Sequence, residues 1–205
     1  MTRLKQTSAR AVAVLLAATL GACTTAGNGP TASSTSPSSS STSPKPSPAT
    51  PTQSPEEVAI AAAKDLLPQY FATRDRSLQE GKAFNVEDFK KVAISSGLIE
   101  MQNRYNVITG QSFKQLGATR IETVDNPRVD LSLDLKKSPP DVPTVQLDVC
   151  IDVSKVNIVN KAGESQIPPS RVPRQKWRVG VSNYEYPTPG DWRVSFVDPQ
   201  GGKTC

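Results

Sequence analysis

The 205-residue chain contains no histidine. That absence removes imidazole metal ligands, Ser-His and Cys-His nucleophile pairs and an imidazole pH switch, and most familiar hydrolase chemistry goes with them. Aromatic residues are scarce, and the three cysteines include no C-x-x-C pair, so neither a thiol redox motif nor a cysteine zinc site is written into the chain. Acidic residues are missing altogether before Glu56, although Arg3, Lys5, Arg10 and Lys45 lie there. The formal charge of +5 and a pI near 9.2 suggest a polyanionic partner. Taking those four cations from the 24 Lys and Arg leaves 20 against 19 acids, a net +1 from residue 56 onward. A near-neutral segment has no electrostatic footprint for DNA or RNA, and no nucleic-acid partner is expected.

Long apolar runs are also lacking. Ala11 to Leu20, broken only by Thr19, is about half of the ~20 residues a membrane-spanning helix needs. Placed after the basic stretch Met1 to Arg10, it reads as the h-region of a cleaved export signal spanning residues 1–22. The run ends in Leu20-Gly21-Ala22-Cys23, which resembles the lipobox of bacterial lipoproteins. The resemblance implies cleavage before Cys23, diacylglycerol on its sulfur, and residence on the extracytoplasmic face of the cell membrane. Two acyl chains suffice for stable attachment where one is marginal. The alternative is an ordinary secretory signal with Cys23 a spare thiol.

Residues 23–55 then form a tether. From Pro30 to Pro55, 22 of 26 residues are Ser, Thr or Pro, with no aromatic or branched aliphatic side chain to bury. Such a segment is expected to stay disordered, reaching on the order of 80 Å in polyproline II form, either as an unmodified spacer or as an O-glycosylated stalk.

Residues 56–205 have the size of one domain with its own core. Ser54, Pro55 and Glu57 spell a helix start with a capping box. Ile60, Ala63, Leu67, Tyr70, Phe71 and Arg74 follow at helical spacing, and Pro68 predicts a kink or break. A second helix opens at Asn85, with Phe84 placed to staple against Phe89 and Gly97 as its stop. Leu98 to Ile108 forms a third. After Gly117 the period changes to two. Val129 to Leu135 alternates, as do Val145, Leu147, Val149, Ile151 and Val153, then Trp177, Val179 and Val181, then Trp192, Val194 and Phe196. The expected fold is α+β, with N-terminal helices packed on a curved antiparallel sheet of three to five strands.

With Cys23 assigned to lipid, Cys150 and Cys205 remain as an even pair in an oxidising compartment. A disulfide between them is the expected product, two free thiols the alternative. The whole pattern of basic n-region, LGAC, Ser/Thr/Pro stalk, helices, Cys150-x-Asp152 on a strand, a Trp192-Arg193-Val194 strand and Cys205 resembles small lipoproteins of high-GC Gram-positive bacteria. Their domains resemble the nuclear transport factor 2-like, or cystatin-like cone, superfamily. That resemblance implies a sheet wrapped around helices with a pocket at its open end, and no single activity.

Two functions of different classes follow. A ketosteroid-isomerase-like or dehydratase-like enzyme would use Asp148 or Asp152 as base, with Tyr70, Tyr105, Tyr184 or Tyr186 as proton donor. Against it, both acids share the Cys150 side of the strand, where Asp148, Asp152, Lys176, Arg178 and Arg193 can form ion pairs on a solvated face. A non-catalytic module, held at the surface to meet a wall polymer, an envelope protein or a small apolar ligand, is the favoured reading. Trp177 and Trp192 could stack on such a ligand, but their in-strand spacing says core. No catalytic residue, ligand-binding residue, metal ligand or cofactor is assigned.

Overall fold

The computed structural model describes residues 53–80 and 85–205. The export signal, Cys23 and its lipobox, nearly all of the tether, and Phe84 with its staple lie outside the described residues.

The first helix, α1, runs Pro55–Glu80. Its start is the expected capping box: Ser54 N donates to Glu57 Oε2 at 2.8 Å, and Glu57 N donates to Ser54 Oγ at 3.2 Å. The predicted break at Pro68 does not occur, and α1 continues through it. Lys64, whose carbonyl loses its donor to the proline, is on the exposed side, where water can take over that bond. The Gln69 side-chain amide donates to the next carbonyl, Asp65 O, at 3.3 Å.

α2 spans Val86–Lys90 and is capped by Asn85, whose side chain accepts from Glu87 N at 3.1 Å. Gly97 is not its stop. The chain turns after Lys90, and Gly97 lies inside α3, Ser95–Gly110. Its function there is clearance, since a Cβ at Gly97 would sit 2.5 Å from the Val194 carbonyl oxygen.

Four strands, β2 (Arg120–Asp130), β3 (Thr144–Asp152), β5 (Arg174–Ser182) and β6 (Arg193–Pro199), form an antiparallel sheet in the order β2-β3-β5-β6. Two three-residue strands, β1 (Lys114–Leu116) and β4 (Asn157–Val159), pair separately. Val145, Leu147, Val149 and Ile151 of β3 are wholly buried, as predicted, and pack with Val179, Val181 and Trp177 of β5 against Ala63, Leu67, Tyr70 and Phe71 of α1. Leu78, Ile108 and Ile158 form a smaller cluster where the two-stranded sheet meets α1 and α3.

Two strand predictions are corrected. The alternation from Val129 to Leu135 leaves the sheet at Asp130, the residue paired with Thr144 where β3 begins. Beyond it the chain parts from β3: the Asp130 side chain accepts from Ser132 N at 2.9 Å, turning the chain, which then folds back on itself through a single bridge between Asp134 and Asp141. Leu133 and Leu135 are therefore exposed. Phe196 was placed with Trp192 and Val194 on the inner face. Val194 pairs with Val181 but Phe196 pairs with Gly180, so Ser195 is an extra residue in the ladder. This bulge sends Phe196 to the outer face, over Gly180, and brings Val197 opposite Val179.

The far side of β6 is covered by the link between α2 and α3. Val194 N donates to Val92 O and Ile94 N to Val194 O, both at 2.9 Å. Asn183, fully buried, holds the turn into β6 through Thr188 O and Glu185 N, each at 2.9 Å.

Candidate functional site

The alternation of β3 sends Gln146, Asp148, Cys150 and Asp152 to the outer face, while the core and Tyr70 lie on the inner one. The sheet thus separates the candidate bases from the tyrosine deepest in the fold. Asp148 Oδ2 meets Lys176 Nζ at 3.1 Å and accepts from Asn126 Nδ2 at 3.1 Å. Asp152 Oδ2 meets Arg120 Nη2 at 3.3 Å. Between them Glu122, not singled out from sequence, receives Arg174 Nε at 2.6 Å and Arg120 Nη2 at 3.1 Å. The result is a network crossing β2, β3 and β5. The expected ion-pair face is present in part: Arg193 pairs within its own loop, with Asp191 at 3.2 Å, and Arg178 contributes no ion pair among the described residues.

Both candidate bases hold their protons less tightly than an ordinary carboxylate. For Asp148 the largest cause is the Asn126 hydrogen bond, with Lys176 adding to it; for Asp152 it is the Ser154 backbone N–H, followed by its side chain and then Arg120. A carboxyl serving as base in an apolar pocket is pushed the other way.

Cys150 and Cys205 are joined, with Cα atoms 5.9 Å apart, so the predicted disulfide is present on this same face. Trp177 and Trp192 are both core residues. Tyr186 packs edge-on to Trp192 with ring centres 6.4 Å apart, Tyr184 is exposed and Tyr105 lines the smaller cluster. The four tyrosines do not converge with the two acids.

One charged group within the fold was not foreseen as such. Arg74, buried on α1, stacks over the Trp177 ring and approaches Glu100 Oε1 of α3 at 3.9 Å, with Arg104 one turn further along α3. Tyr70 Oη, Arg74 Nε, Glu100 Oε2 and Arg104 Nε are buried with no hydrogen-bond partner among the described residues. Burial, with Glu100 reinforcing it and Arg74 opposing, lifts the Tyr70 hydroxyl well above its usual value. Burial, then the like charge of Arg74, pulls Arg104 down to about 10. Tyr70 stays neutral and Arg104 stays cationic at neutral pH, so the group sets a charge pattern between α1 and α3 rather than offering a base. The sequence signal was available: Arg74 falls on the apolar stripe of α1, and Glu100 and Arg104 share one face of α3 at i, i+4.

Among the described residues no group of three or more Cys, Asp or Glu is arranged to hold a metal, and no helix is long and apolar enough to cross a membrane. No known protein family matches the chain, and no curated protein matches it in sequence. Among solved structures, the chain is similar to the crystal structure of the intermembrane space region of the chloroplast protein ARC6. That match has a TM-score of 0.42 and 8% identity, and covers 68% of this chain and 94% of the other.

Proposed function

We propose that the protein is an exported lipoprotein, held through diacylglycerol on Cys23 to the extracytoplasmic face of the cell membrane, whose domain acts as a non-catalytic binding or interaction module of the envelope. The observation that carries the non-catalytic part is the environment of Asp148. Its carboxylate lies between Lys176 and Asn126, on the face of the sheet opposite the apolar core. The anchoring part is supported by the LGAC box at residues 20–23 and by the Ser/Thr/Pro tether that follows it. The disulfide fits an oxidising, extracytoplasmic compartment. A cell-wall polymer or an envelope protein is the partner such a module would meet.

Fractionation of cells producing the full chain, with mass spectrometry of its mature N-terminus, tests the anchor. The expected result is a membrane-bound protein beginning at a diacylated Cys23, and a Cys23→Ala variant that is released or left unprocessed. A Cys23→Ala protein still bound to the membrane at its mature mass overturns the anchor. In a deletion strain, the Asp148→Asn/Asp152→Asn double variant should replace the wild type fully. A folded double variant that fails to do so would restore the enzyme reading.

A further inference from the structure

We propose that the groove between α1 and the start of β2 is a binding site for a small amphipathic carboxylate, with the apolar body along Phe71, Ala72, Ala118 and Ile121 and the carboxylate at Arg76. The proposal rests on the reading of the domain as a binding module and gives that module a ligand class.

The groove has a volume of about 490 Å³, within the range of ~300 to 1,000 Å³ usual for small-molecule sites. Phe71, almost wholly buried, lies beneath it, and the small side chains of Ala72 and Ala118 leave its two walls apart. The walls are fixed by polar ties. Asp75 accepts from Thr119 N at 2.6 Å, Thr119 Oγ1 at 3.0 Å and Gln115 Nε2 at 2.7 Å, binding the second wall to α1. Gln79 Nε2 donates to Gly117 O at 2.6 Å at one end. Gly117 permits the turn there: its φ is 70°, and a Cβ on it would strike the Lys155 carbonyl. The groove is thus open space between braced walls.

Charge selects the ligand. Three ionic side chains line the groove, and two are already engaged. The Asp75 carboxylate is surrounded by donors, and the Arg120 guanidinium is turned toward Glu122 and Asp152 at 3.1 and 3.3 Å. Arg76 donates to Thr73 Oγ1 at 3.5 Å and makes no ion pair among the described residues; its charge acts on Asp88 from a distance, and Asp88 is itself paired with Lys91 at 2.7 Å. A guanidinium with no ion pair among the described residues, beside an apolar trough, matches one negative charge on an apolar body. A carboxylate fits that better than a dianionic phosphate.

The test uses the full chain carrying Cys23→Ala, prepared without detergent and titrated with octanoate and with octanol by calorimetry and methyl NMR. Octanoate should bind one to one and shift the Ala72, Ala118 and Ile121 methyl signals. Arg76→Gln should weaken octanoate about tenfold while leaving octanol unchanged, and Ala118→Phe or Ala72→Phe, both at exposed positions, should abolish both. The intact Cys150–Cys205 bond and an unchanged unfolding curve report that each variant is folded. The proposal is overturned by no saturable octanoate binding, by binding that survives both Phe substitutions, or by an Arg76→Gln loss equal for acid and alcohol. Any of these leaves the anchored-module reading standing, because Cys23 processing and membrane fractionation report on that reading separately.

Discussion

The guanidinium carbon of Arg74 lies 4.8 Å from the centre of the Trp177 ring, so a buried cation joins α1 to β5 inside the core. The stem of Arg74 supplies packing, and its charge is only loosely answered by Glu100, 3.9 Å away. Removing the Arg74 charge leaves Glu100 with Arg104 as its nearby cation in either variant, but only truncation also opens a void. Arg74→Met should therefore stay within about 1 kcal/mol of wild type, and Arg74→Ala should lose roughly 2 to 4 kcal/mol. Urea denaturation of both variants decides the matter. Equal losses would mean that charge, not packing, holds the two elements together.

The outer-face acids give a pH dependence of definite sign. Asp148 has a folded value below its ordinary 3.8, so it contributes stability that is complete above 3.8 and is lost as pH falls through the lower folded value. Asp152 acts in the same direction. An Asp148→Asn variant should be less stable than wild type at pH 7 by about 1 kcal/mol, and the two stability curves should converge below pH 3.8. Curves that stay parallel through the acid range would show that Lys176 and Asn126 do not favour the ionised form.

Two glycines allow opposite elements to touch, with different tolerance. A Cβ at Gly97 meets the Val194 carbonyl, part of a strand that cannot retreat. A Cβ at Gly180 meets the Phe196 ring, a side chain on the outer face that can swing away. Gly97→Ala should cost roughly 2 to 3 kcal/mol and Gly180→Ala about 1 kcal/mol. Thermal unfolding of the pair in parallel gives the order, and a reversed order would contradict the placement of Phe196 over Gly180.

The disulfide spans 55 positions, a long loop to close. Chain entropy assigns such a link about 4 kcal/mol, acting through the unfolded state. Cys205→Ser, at an exposed position, should lower the unfolding free energy in urea by up to that amount without altering β3. A loss under about 1 kcal/mol would mean that the unfolded chain already keeps Cys150 and Cys205 close.

Much of this architecture was legible where local chemistry is self-contained. The Ser54–Glu57 capping box, the Asn85 cap, the alternation of β3 and the pairing of Cys150 with Cys205 each depend on neighbours in sequence or on simple parity. What stayed hidden depends on partners supplied from elsewhere. The reversal of Phe196 follows from one extra residue at Ser195, visible only once β5 provides the register. Leu133 and Leu135 keep a perfect strand period but flank only the lone bridge from Asp134 to Asp141, outside the main sheet, because β3 begins level with Asp130. β1 and β4 are three residues each, too short to show any period. Arg74 was read as a member of the apolar stripe, but its opposition to Glu100 arises only when α1 and α3 pack together.

The link from Val92 to Gly97 runs alongside β6 and uses the hydrogen-bonding groups of Val194 on that flank. On the opposite flank, β2 is broken by two register shifts around Glu122 and around Asn126–Pro127. A strand from a neighbouring molecule finds the donor and acceptor of Val194 already used on one side and an irregular strand on the other. Both features work against the stitching of neighbouring copies into a continuous ribbon.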